Sequence, residues 1–143
     1  MKTKTIITTF LLLFSISSFA QTKEQTIAWI KEKLEKHGGD EYYSYINVKV
    51  SPCHISFTKK HSKGFEILTS FNPSTAKSWK VSSDSKPLII ADAKIIRRVN
   101  RDGEISNISY LEIRNGESDI HERMIKALLH LATFCEEGKN EAF

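Results

Sequence analysis

Between two helical stretches the hydrophobic period of this chain drops from 3.6 to two, and the shorter period persists from Tyr42 to about Arg114. Successive side chains on a strand point to opposite faces, so such alternation commits one face of each segment to a core. Ile46, Val48 and Val50 alternate with Tyr45, Asn47 and Lys49, and Cys53, Ile55 and Phe57 resume the pattern after Ser51-Pro52. Phe65, Ile67, Thr69 and Phe71 form a third run, closed by Asn72-Pro73-Ser74. Trp79 and Val81 mark a short fourth before Ser82-Ser83-Asp84-Ser85. Leu88–Ala91 is continuously apolar, and Ile95, Ile96 and Val99 extend it past a bend near Asp92 or Ala93. Asn100-Arg101-Asp102-Gly103 predicts a hairpin, because Asp-Gly supplies the backbone that tight connections need. A last run covers 105–113. With no helical period in between, six or seven strands are expected to follow one another as an antiparallel meander.

Both flanks read as helices. Thr22 with Gln25 three positions on forms a capping-box pattern, and Ile27, Ile30 and Leu34 recur on one face that Trp29 widens. Lys31, Lys33, Glu35 and Lys36 fill the remainder as solvated surface, and Gly38-Gly39 is expected to end the helix with a positive φ. Near the other end, Ser118 is placed to cap a second helix. Ile120, Met124, Ala127, Leu128, Leu131 and Cys135 share one face of it, Ile125, Leu129 and Ala132 broaden that face, and Gly138 is read as its stop. The expected class is therefore α+β: an antiparallel β meander or roll, with an N-terminal helix and a C-terminal amphipathic helix packed on the sheet.

Ahead of this domain stands a short leader. Lys2 and Lys4 precede an apolar core over 6–16, and Ser18-Phe19-Ala20 sets small residues three and one positions before Gln21. That is the layout of a secretory signal peptide, with a core shorter than the ~20 apolar residues a membrane-spanning helix needs. Export to the periplasm or beyond is expected, leaving 21–143 as one domain without a transmembrane segment. The leader holds two of the 21 basic residues and none of the 17 acidic ones, so its removal lowers the net charge from +4 to +2. This modest balance, together with export, argues against nucleic acid as a partner. Cys53 and Cys135 then lie where disulfides persist. Two readings fit them, a bridge across the domain or two buried thiols acting as small apolar groups.

The element order over 42–137 resembles a pleckstrin-homology-like roll, in which a closing helix plugs one end of two orthogonal sheets. Thr26-Ile27-Ala28-Trp29-Ile30-Lys31-Glu32-Lys33-Leu34, with Ala127-Leu128-Leu129-His130-Leu131 and Cys135, resembles small exported proteins common in Bacteroidetes. That likeness implies that both helices belong to one fold with the sheet, and it implies no particular activity.

Chemistry-bearing patterns are sparse. His37, His54, His61, His121 and His130 never fall at a metal-binding spacing, and Cys53-His54 would point to opposite strand faces. There is no Gly-x-Ser-x-Gly and no glycine-rich phosphate loop, so neither a metal nor a cofactor is expected. Two basic clusters stand out. Lys59, Lys60 and Lys63 crowd one expected turn, and Arg97, Arg98 and Arg101 crowd another beside the Asp-Gly hairpin. Such clusters protect sheet edges from aggregation, and they also form rims for anionic groups. Tyr42, Tyr43 and Tyr45 add an aromatic group at the first strand. The functional expectation is an exported, non-enzymatic binding domain of the cell envelope, whose partner is an envelope protein, a glycan or a lipid headgroup. The rival is a small exported hydrolase or hydrolase inhibitor with a loop-built site. A third reading is an interaction protein that uses an exposed strand edge.

Overall fold

The computed structural model describes residues 21–140. The leader and the last three residues lie outside that range, and with them the expected cleavage site. Helix α1 spans Lys23–His37, and eight strands follow: β1 Tyr43–Ser51, β2 His54–His61, β3 Glu66–Phe71, β4 Trp79–Val81, β5 Leu88–Ala91, β6 Ile96–Val99, β7 Ile105–Ile108 and β8 Tyr110–Glu112. Helix α2, Ile120–Asn140, closes the chain. All pairings are antiparallel, in a five-stranded sheet ordered β1-β2-β3-β6-β7 and a three-stranded sheet ordered β4-β5-β8. The expected α+β arrangement holds.

Two local features refine it. The run over 105–113 is two strands serving different sheets, because β7 pairs with β6 and β8 pairs with β5. Ser109 is the corner between them, its carbonyl accepting from the Ala91 N–H at 2.6 Å. Within β1 the register advances three residues, Ile46 to Lys49, while β2 advances two, Thr58 to Ser56. This bulge sets Asn47 at φ 54°, a left-handed conformation that Asn tolerates better than most side chains. It also reverses the phase of the strand. Tyr45 faces inward before the bulge, and Val48 and Val50 face inward after it, so the simple alternation that turned Tyr45 outward fails there.

The core lies where the two sheets and two helices meet. Ile30 and Leu34 of α1 pack with Ile55, Ile89, Leu111 and Ile113, and with Met124, Leu128 and Leu131 of α2, all fully buried. Thr22 and Gln25 form the expected reciprocal cap, at 3.2 and 2.9 Å. Gly38 caps the helix at φ −65°, not at a positive angle, and the reason for glycine there is space: a Cβ would strike the Tyr45 ring and the Leu34 carbonyl. The positive φ falls one residue later, at Gly39, 105°. Helix α2 runs through Gly138 to Asn140, so that glycine does not end it. Its first turn is anchored by the Asp119 carbonyl, which accepts from the Arg123 N–H, while Ser118 stays in the preceding turn. Leu129 is exposed rather than broadening the buried face.

Cys53 and Cys135 are bridged. Cys53 sits in the two-residue turn between β1 and β2, and Cys135 is buried on α2, so the bond staples the first hairpin to the last helix.

Candidate functional site

Lys59 continues the inward phase set by Ile55 and Phe57, and strand β2 extends through it to His61. It therefore occupies a core position rather than the expected turn, and is 4% exposed. A lysine there needs a counter-charge. Glu112, the last residue of β8, supplies it: Lys59 Nζ lies 2.7 Å from Glu112 Oε1 and 3.9 Å from Asp40 Oδ2, with the Tyr43 ring 4.3 Å from the ammonium. The other carboxylate oxygen accepts from the Tyr45 hydroxyl at 3.1 Å and from Arg98 Nη2 at 3.4 Å. Tyr45 completes a small ring by accepting from the Glu112 N–H at 3.1 Å. Burial first, and the neighbouring carboxylate second, hold the Tyr45 hydroxyl well above its ordinary range, so it remains a donor. Arg98 also lies over Tyr110 at 5.3 Å.

An open groove of about 940 Å³ runs beside this cluster. Residues 40–42, between α1 and β1, form one side, the loop before β5 forms the other, and Tyr110, Glu112 and Arg114 lie between. Glu112 accepts three side-chain bonds, from Lys59 on one oxygen and from Tyr45 and Arg98 on the other, and these join its sheet to the five-stranded one.

A second charged hub ties the helices. Glu117 receives Lys33 at 2.8 Å, His37 at 3.1 Å and Lys36 at 3.6 Å on one oxygen, and Arg123 at 3.5 Å on the other. These partners, Lys33 first and His37 next, lower its pKa to about 2, and the bonds of Lys33 to Glu117 first and Glu32 next raise that of the lysine. Lys33 is thus buried against Glu117 and Trp29, not part of the solvated face expected for it. Gly116 is required beside the hub because a Cβ there would enter the His37 ring.

The six basic candidates separate by strand phase. Lys59 and Arg98 point inward and pair with Glu112. Lys60 and Arg97 lie on the outer face of the five-stranded sheet, and Lys63 and Arg101 occupy exposed turns at one end of it. Pairing of β3 with β6 brings these two sequence clusters to one surface, because the intervening β4 and β5 leave for the other sheet. Register aligns Ile46, Thr58, Leu68, Val99 and Ile105 in a row across all five strands. Leu68 is 60% exposed, Ile105 59% and Phe65, in the adjoining turn, 60%. Glu66, Asp102 and Glu104 are the acidic residues at that end, Glu104 bonded to Asn100 at 2.8 Å. Sequence reasoning passed over Leu68, although the alternation of Ile67, Thr69 and Phe71 already turned it outward. Glu112 carried no such signal.

His121 bonds the Ile113 carbonyl at 2.7 Å and His130 that of Gln21 at 2.8 Å, while His37 is held by Glu117. Among the described residues no group of three or more His, Cys, Asp or Glu side chains is placed to hold a metal ion, and no helix is long and apolar enough to cross a membrane. Compared with known proteins, the chain matches no family model, no curated protein and no solved structure.

Proposed function

We propose that this chain is an exported binding domain of the cell envelope that engages a target through the outer face and turn end of its five-stranded sheet. The observation that carries the reading is the meeting of Lys60, Lys63, Arg97 and Arg101 with exposed Leu68, Ile105 and Phe65 on one surface. Contiguous exposed apolar groups rimmed by charge are the usual mark of an interaction face. The leader pattern and the Cys53–Cys135 bridge support export, since disulfides persist outside the reducing cytosol.

The reading is tested by replacing Lys60, Lys63, Arg97 and Arg101 together with Gln and capturing partners from native envelope extracts. All four are surface positions, so the fold is expected to survive. Loss of the material captured by the unaltered domain supports the assignment; undiminished capture refutes it.

A further inference from the structure

The groove beside Glu112 does not end at Tyr42. On the far side of that residue a second groove, of about 340 Å³, continues past Ser44, Ile46, Lys60, His61 and Ser62, and both grooves share Glu41 and Tyr42. Each is the size of a ligand subsite, the usual range being about 300–1,000 Å³. Tyr42 stands at their junction 59% exposed, its ring parallel to that of His61 at 6.2 Å. A large aromatic side chain held at a groove saddle, and left without cover, invites a ligand that is flat and apolar on one face.

We propose that these joined grooves bind a linear, uncharged oligosaccharide that crosses Tyr42, with one sugar ring stacked on the tyrosine and its neighbours in the two arms. Charge selects against other polymers. The linings carry Asp40, Glu41, Asp84 and Glu112 against Lys60, Lys86 and Arg114, with Lys59 and Arg98 bonded behind Glu112. That near-balance gives a polyanion or polycation little net attraction. Interspersed carboxylate, ammonium, guanidinium and serine groups offer donors and acceptors in the mixture that sugar hydroxyls require. An extended peptide read through its side chains would need apolar pockets, and the apolar linings here are confined to Ile46, Pro87, Leu88 and the tyrosines. Strand β1, which lines the second groove with Ser44 and Ile46, is an edge strand, so backbone pairing by a peptide is the outcome the Gly-Ser arm of the test reads. The backbone that carries Tyr42 is held without help from the ligand, because Asp40 Oδ1 accepts from the backbone N–H of Tyr42 and Tyr43 at 2.8 and 3.0 Å. That reduces the backbone ordering a ligand must impose on binding.

The test uses the full mature domain, isotopically labelled, titrated to millimolar concentration with neutral tetrasaccharides of glucose, N-acetylglucosamine, mannose and galactose. A heparin tetrasaccharide and a Gly-Ser octapeptide serve as the polyanion and peptide arms. The expected result is saturable shifts confined to 40–46, 60–62, 84–88 and 110–114 with at least one neutral sugar. Tyr42→Ala should weaken that binding roughly tenfold, whereas Tyr42→Phe, which keeps the ring, should retain it. Tyr42 is exposed, so neither change endangers the fold, and backbone shifts elsewhere will verify that. The proposal is overturned if no neutral tetrasaccharide shifts those residues, if only heparin or the peptide does, or if Tyr42→Ala binds as tightly as the original. Of the four sheet-face residues Lys60 alone also lines these grooves, so a variant that replaces Lys63, Arg97 and Arg101 and keeps Lys60 separates failure of one assignment from failure of the other.

Discussion

Three groups converge on Glu112: Lys59, Arg98 and the Tyr45 hydroxyl, with Asp40 3.9 Å from the Lys59 ammonium. In a region this dry each partner is costly to lose, because the group left behind keeps its desolvation penalty without its bond. Tyr45→Phe preserves the ring stacked on Phe57 at 4.0 Å but removes a donor to the carboxylate and an acceptor for the Glu112 N–H. It is expected to cost about 1–3 kcal/mol in urea unfolding. Glu112→Gln should cost more, about 3–5 kcal/mol, since it leaves Lys59 and Arg98 without their counter-charge. A loss below that of Tyr45→Phe in the same assay would show that the cluster is not what braces the sheets. At this scale the sequence was only partly readable. Alternation correctly turned Ile55 and Phe57 inward, and continued mechanically it would have buried Lys59 as well. The charge of Lys59 argued for a solvated turn, and its partner lies 53 residues away on another sheet. No local pattern joins the two.

The elements were more legible than their edges. Thr22 and Gln25 announced the start of α1 because capping chemistry is local, and the apolar face of α2 followed from spacing alone. Gly138 misled because glycine is only weakly unfavourable within a helix, and here the helix continues through it. The β1 bulge was hidden for a different reason: Asn47 reverses the strand's phase, so Tyr45 and Val48 both face the core while three residues apart. Asn47→Val places a β-branched side chain at φ 54° and is expected to destabilise by about 1–3 kcal/mol, whereas Asn47→Gly should be near neutral. Equal effects from the two would remove the conformational explanation. The disulfide belongs to this scale also. Under the chain-entropy account, opening a link between residues 82 apart costs about 4–5 kcal/mol. The Cys53→Ser, Cys135→Ser double variant should therefore unfold at distinctly lower urea concentration than the oxidised domain.

For the molecule as a whole, charge hubs and sheet exchange decide behaviour that no single element predicts. Glu117 joins the α1 lysines to Arg123 of α2, and its folded pKa of about 2 lies below the ordinary 4.5. Its contribution is thus complete above pH 4.5 and is lost as pH falls toward 2. Thermal midpoints followed across that window should drop for the unaltered domain and drop less steeply for Glu117→Gln; parallel slopes would assign the acid sensitivity elsewhere. The division into two sheets was the least legible feature. Residues 105–113 contain no glycine or proline to mark the corner at Ser109, and which sheet a strand joins is settled by partners far along the chain. The proposed interaction face shares that origin. Lys60, opposite Glu66, and Arg97, opposite Ser70, come to the same face on either side of β3 only because β4 and β5 leave the first sheet, which is why the basic clusters were visible in sequence but their common face was not.

The staple between the first hairpin and the last helix also orders events in time. Cys53 is made 82 residues before its partner at position 135. The crosslink cannot close until α2 has been synthesised and has docked against the first hairpin. The oxidation state of Cys53 thereby reports whether that helix has reached its place.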